Sequence, residues 1–124
     1  QDGADAMLKP LVTWAGLYIA GCNGSIDKSE QTSLGRFVGH AYLRKALAGP
    51  KKLNYFREQL QATVDGRQHP LSALDIHRIF TCLIGIARAD GSVEELEIKA
   101  LHELAELFGV SPLYVDSLLR EPVQ

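Results

Sequence analysis

Two short turns carry the residues of this chain best suited to chemistry. Asn23-Gly24-Ser25 and Asp90-Gly91-Ser92 are each followed by a β-branched residue, and further on by the glutamates Glu30 and Glu97. An acid or amide, a glycine and a downstream glutamate mimic the second half of a calcium loop, where oxygen ligands surround a divalent cation. The two earlier oxygen positions of such a loop fall on Ile86 and Arg88 in one copy and on Ile19 and Gly21 in the other. Neither turn is therefore an ordinary calcium site. A composite site requires the two turns to converge and bring Asp90, Glu97 and Glu30 together. The competing role is structural. Helical side chains lean toward the N-terminus, so Glu30 and Glu97 point back at their own turns, near unpaired N–H groups and the positive end of the helix dipole. Buried carboxylates ordinarily find backbone donors, which favours capping over a metal.

The remaining reactive side chains form no recognisable machinery. His40, His69, His77 and His102 share no ligand spacing, and Cys22 and Cys82 lie in apolar stretches without a CxxC pattern, as buried thiols would. His77 and Cys82 are i, i+5 on one helix, which does not align a base with a nucleophile, and no third group orients them. Lys51, Lys52, Arg57 and Arg67 make a modest basic stretch that reads as a solvated face. Trp14, Tyr18 and Tyr42 could line a partner groove, although aromatic residues at helical spacing are more often core. Gly35 and Gly39, four residues apart, suggest close helix–helix approach.

The elements that must position these residues are helical. Leu8, Leu11, Val12, Ala15 and Ile19 follow one helix face, and Pro10, tolerable only in a first turn, places its start near Lys9. A turn follows over 21–25. Leu34, Phe37, Val38 and Ala41 repeat the face up to Gly49-Pro50, and Leu53, Phe56, Leu60 and Val64 form a third stripe ended by Asp65-Gly66. Ser72 with Asp75 looks like a capping pair for a helix whose many apolar positions, Ile76 to Ala87, belong at the centre of a bundle. Ser92 with Glu95 forms a further capping box before the face of Leu101, Leu104, Ala105 and Phe108. Gly109 suits a left-handed C-terminal position, and Ser111-Pro112 opens a last helix with Val115, Leu118 and Leu119, closed by Pro122. No alternating strand pattern competes. The expected fold is all-α, a compact bundle of six helices, or seven if the region from Ser29 to Leu47 breaks at Gly35 or Gly39.

Composition agrees with one domain. The 124 residues are 46% hydrophobic and 23% charged, enough for one core and incompatible with disorder. Thirteen basic against fifteen acidic residues give a net charge of −2, without the basic excess of a nucleic-acid binder. The apolar runs are too short to span a bilayer. No secretory signal is visible, and a start at Gln1 rather than Met fits a single domain over 1–124 cut from a longer polypeptide.

The two turns also align as a repeat. Residues 22–30 fall on 89–97 at an offset of 67, and outside the motif Leu17 falls on Ile84, Leu34 on Leu101 and Phe37 on Leu104. Such halves suggest two helix–turn–helix units packed about a pseudo-twofold axis. Ala87-Arg88-Ala89-Asp90-Gly91-Ser92-Val93, continuing to Glu97, resembles the helix-linking motif of the TerB-like domains. These include the tellurite-resistance proteins and the domain preceding the J-domain in the DjlA co-chaperones. Residues 23–30 resemble a more divergent first copy. The resemblance covers roughly residues 8–120. It implies a bacterial all-helical module without established enzymatic activity, linked to stress, metal-oxyanion resistance, or membrane-bound, chaperone and protease systems. It also implies a divalent-metal site of acidic residues, with Asp90, Glu97 and Glu30 as the matching candidates and Asn23 where the family often has an acid. The expectation is a non-catalytic interaction or regulatory module that requires no cofactor. Its partner is a protein or an adjacent domain, bound at a groove between the halves or an exposed apolar patch, with no nucleic acid and no membrane span. The place is the cytoplasm, or the soluble part of a membrane-associated protein; a metal-sensing domain is the alternative.

Overall fold

The computed structural model describes residues 3–24 and 26–121, without the side chains of residues 3–7 and of Asp90. The roles given to Ser25, to Pro122 and to the Asp90 carboxylate fall outside the described residues. Within them the chain forms seven helices: α1 (Gly3–Gly21), α2 (Lys28–Val38), α3 (His40–Ala46), α4 (Leu53–Asp65), α5 (Ala73–Ala87), α6 (Glu95–Leu107) and α7 (Pro112–Leu119). A 3-10 turn, Arg88–Asp90, links α5 toward α6. None of these helices is long and apolar enough to cross a membrane.

The centre of the bundle is the crossing of α1 and α5. Helices α2, α4 and α6 pack on α1, and α2 and α7 pack on α5. Leu8, Leu11, Val12, Ala15 and Ile19 are buried as their spacing predicts, joined by Leu17 and Tyr18. The start of α1 departs from expectation, because Pro10 lies inside the helix rather than in its first turn. A proline there forgoes one backbone bond and costs about 3 kcal/mol. Full burial of side chains such as Leu8, Leu11 and Val12 on either side is worth about 1.5–3 kcal/mol each, which outweighs that loss. Trp14 stacks its ring 6.3 Å from Phe56 and meets Tyr55 edge-on at 5.9 Å, so it joins α1 to α4 instead of lining a groove.

The second helical stripe breaks at Gly39, whose φ of 94° ends α2 and starts α3. Only Leu34 and Val38 of the expected face are buried; Phe37 is 53% exposed and Ala41 faces solvent. The Gly35–Gly39 pair therefore has a local purpose rather than a helix-packing one. Gly39 N–H bonds the Gly35 carbonyl at 2.7 Å, and a β-carbon on Gly35 would collide with the His40 ring. Tyr42 is also outside the core, with the Lys9 ammonium 5.7 Å above its ring.

Helix α5 starts at the expected capping box, with the Ser72 hydroxyl accepting from Asp75 N–H at 3.1 Å. Helix α6 starts two residues later than the Ser92–Glu95 pairing predicts. Its N-cap is Glu94, and Glu97 is the residue that reaches back. Gly91, at φ 111°, and half-buried Val93 occupy the chain first, so the helix begins only once Val93 is packed against the core. Gly109 takes the expected left-handed cap: its N–H bonds Glu106 O at 3.1 Å while Val110 N–H bonds Ala105 O at 2.8 Å. The Ser111 hydroxyl caps α7 through Leu113 N–H at 3.1 Å.

The repeat has a structural counterpart. Gly24 and Gly91 share the same unusual φ, 107° and 111°. Asp27 caps α2 and Glu94 caps α6, at the same offset. Leu17 and Ile84, Leu34 and Leu101, and Glu30 and Glu97 are all buried. Helix α2 packs on α5 while α6 packs on α1, as exchange of the halves requires. The equivalence fails at Phe37, which is exposed where Leu104 is buried.

Candidate functional site

Each elbow is built from a helix end, a left-handed glycine and a capped helix start. At the first, Asp27 Oδ1 accepts from the Ser29 N–H at 2.8 Å and from its hydroxyl at 2.9 Å. Those bonds, the backbone one foremost, hold the Asp27 carboxyl below its usual range. At the second, Glu97 Oε1 accepts from the Glu94 N–H at 2.8 Å, the turn-capping role expected of it.

The two elbows meet. The Asn23 side-chain amide donates across to Glu94 Oε1 at 3.3 Å. Glu30 and Glu97 are each 1% exposed, and both bear on the half-buried Cys22 thiol. Burial, then the negative charge of Glu97 and of Glu30, and more weakly that of Glu94, push this thiol up to about 11. The structure thus gathers Asn23, Glu30 and Glu97 of the candidate set around Cys22, which spacing alone did not place there. Asp90 contributes the backbone of the 3-10 turn against which α2 packs. Among the described residues, which leave out the Asp90 carboxylate, no three His, Cys, Asp or Glu side chains have metal-holding geometry.

Chemistry at Cys22 follows from its surroundings. A thiol raised to about 11 stays protonated at neutral pH and is a poor nucleophile. Because its folded value lies above the ordinary 9, the unfolded thiol ionises first as pH rises. Its contribution to stability is complete below about pH 9 and is lost between about pH 9 and 11. Glu97→Gln removes the largest of the charges acting on it, so iodoacetamide should alkylate Cys22 several-fold faster at pH 9 in that variant. Equal rates, followed by mass spectrometry, would show that the Glu97 charge does not reach the thiol.

A second feature lies between the halves. A groove of about 450 Å³ opens where α1, α2 and α5 meet. Leu8, Val12, Phe37 and Val38 supply apolar walls, and Lys9, Arg36 and Arg78 stand round them. His77 and Cys82 both line it, and Cys82, like Cys22, is half-buried rather than enclosed. His77 Nδ1 lies 3.0 Å from the Tyr114 hydroxyl, whose titration is raised by burial and then by Glu121. The other histidines serve elsewhere: His40 covers Gly35, the His69 carbonyl accepts from Arg67 Nε at 3.3 Å, and His102 Nε2 pairs with Asp116 Oδ1 at 2.7 Å. Exposed Phe37 was missed as a lip of this groove because its helical register is that of a core residue. Gly39, one of the two glycines at which the region could break, was the available signal.

Compared with family models, with curated proteins and with solved structures, the chain matches none.

Proposed function

We propose that the chain is a non-catalytic TerB-like module that binds a protein partner, or an adjoining domain of its own polypeptide, on the cytoplasmic side of a stress, chaperone or membrane-associated system. The observation that carries this reading is the groove between α1, α2 and α5, with Phe37 53% exposed at its lip. What sets Phe37 apart from the other exposed apolar side chains, Leu74, Leu96 and Leu113, is its place at the lip of a concave apolar surface, the setting in which ligands dock. The TerB resemblance of the elbows supplies the class of system.

Photo-crosslinking tests the docking reading. Benzoylphenylalanine in place of Phe37 should yield a discrete protein adduct in cells, whereas the same probe in place of exposed Glu58 on α4 should not. With the adduct's protein purified, Phe37→Ser should weaken its binding at least tenfold, about 1.4 kcal/mol, and barely move the thermal midpoint. Equal adducts from both positions, or unchanged affinity, would remove the groove as the docking surface.

The convergence of Glu30 and Glu97 on Cys22 favours one second reading, a divalent-cation site completed by Asp90. A cation bound only by the folded chain raises its midpoint by mass action. Millimolar calcium, magnesium, manganese or zinc should then stabilise the native chain, and Glu97→Gln should reduce that gain. No shift with any of the four ions leaves the carboxylates as caps.

A further inference from the structure

We infer that the occupant of the groove is an acidic amphipathic helix of two to three turns, laid along the seam between α2 and α5. The inference rests on the docking reading and adds the partner's chemistry.

The shape of the seam sets the length. The apolar groove and a second, shallower trough share Arg36, and the trough continues past Ser33, Ser29 and the neighbouring Asp27 and Lys28 to Ala89. Along α2, Ser29 to Phe37 spans about 12 Å, and along α5, His77 to Ala87 spans about 15 Å, a stretch that two to three helical turns cover. The floor also suits a helix. Thr81 and the exposed Gly85 lie on one face of α5, and no atom stands within 4 Å of where a β-carbon on Gly85 would be. Small residues there admit a partner backbone at close range. The large apolar side chains cluster at one end, round Leu8, Val12 and Phe37, where a partner's leucine or phenylalanine finds its pocket.

Charge sets the sign. Lys9, Arg36 and Arg78 line the apolar end; among the described residues no acidic side chain lines it and none of the three has an ion pair, while in the trough the one carboxylate, Asp27, is offset by Lys28. The chain as a whole carries a net charge of −2, so this rim is positive against the sign of the molecule. Rim charges contribute modestly to affinity, but they steer approach and reject partners of like sign. A helix presenting carboxylates beside its apolar face satisfies the rim, and a basic helix meets three cations. A single fatty acyl chain could fill the apolar end alone, but it would leave the Ser29–Ala89 trough and the Gly85 surface uncovered.

Synthetic capped helical peptides of about 15 residues test this. One carries leucine and phenylalanine at i, i+3, i+4 and i+7 with glutamate elsewhere; a second replaces every glutamate by lysine; lauric acid is the lipid probe. Backbone amide NMR should show the acidic peptide shifting signals of α2 and α5 around Phe37 and Thr81. Its Kd should rise severalfold from low to high salt, and at least tenfold in the Arg36→Glu, Arg78→Glu double variant, which should in turn gain affinity for the lysine peptide. Both arginines are exposed, so the variant should fold, with circular dichroism as the check; each single change should show a smaller loss of the same sign. Tighter binding of the lysine peptide by the native chain, shifts confined to other helices, or lauric acid occupying the groove in place of the acidic peptide would each overturn the inference. Those outcomes leave the crosslink at position 37 standing. The docking reading falls instead if the crosslink at position 37 is absent or matched at position 58, or if Phe37→Ser leaves the partner's affinity unchanged.

Discussion

Phe80→Ala should destabilise the fold by about 3–5 kcal/mol, among the largest effects open to a single substitution in this chain. Phe80 is 0% exposed, and its ring meets Phe108 edge-on at 5.7 Å and Tyr114 at 6.2 Å. It therefore joins α5 to the end of α6 and to α7, and alanine removes the ring from both contacts. Neighbouring helices cannot close the gap cheaply: Gly109 and the Ser111 cap tie the α6–α7 junction into one conformation. Against a total stability of about 5–15 kcal/mol, the loss should lower the thermal midpoint by on the order of 10–20 °C. Urea unfolding with an unchanged m-value is the measurement, and Leu74→Ala, at a site 58% exposed, is the control, with an expected change below about 0.5 kcal/mol. A loss under about 1.5 kcal/mol for Phe80→Ala would contradict the packing of this corner.

The second large effect belongs to the elbows. Gly24→Ala and Gly91→Ala should each cost about 1–2 kcal/mol, because φ values of 107° and 111° lie where a β-carbon clashes with its own backbone. Neither glycine is crowded by neighbours, so the cost is conformational and should be nearly equal at the two sites. Gly85→Ala is the counterexample: it lies inside α5 with open space round it, and alanine there should be neutral or stabilise by about 0.5–1 kcal/mol. The Asn23–Glu94 bond joins the elbows, so the double change should depart from additivity. If one elbow tolerates alanine and the other does not, the two are unlike joints and the repeat has no structural meaning.

What the sequence disclosed depended on how local the physics was. Caps written within four residues, Ser72–Asp75 and Ser111–Pro112, lie where their side chains dictate. Pro10 misled, because the proline rule prices a lost backbone bond and takes no account of the burial that surrounds it here. Ser92–Glu95 misled in another way: two overlapping box patterns occur, and packing of Val93 against the core selects the later one. Helical spacing put Phe37 on a buried stripe, and Gly39 rotated that stripe into solvent. At the candidate site, Glu30, Glu97 and Asn23 were legible as turn residues. That they surround Cys22 was not, since their proximity depends on contacts between halves some 67 residues apart. The groove was foreseen only as a place between halves; its cationic rim draws one residue from α1, one from α2 and one from α5.

The position of α1 has a consequence for synthesis of the chain. Leu8 to Ala20 offers an almost wholly apolar surface covered by α4 most extensively and then by α5. Helix α5 is translated about fifty residues later, which at about 5–20 residues per second is a delay of several seconds. During that interval α2 and α4 can shelter only part of it. Helix α1 therefore leaves the ribosome ahead of the helices that cover it, and the yield in a cell should depend on whatever holds that segment in solution until α5 follows.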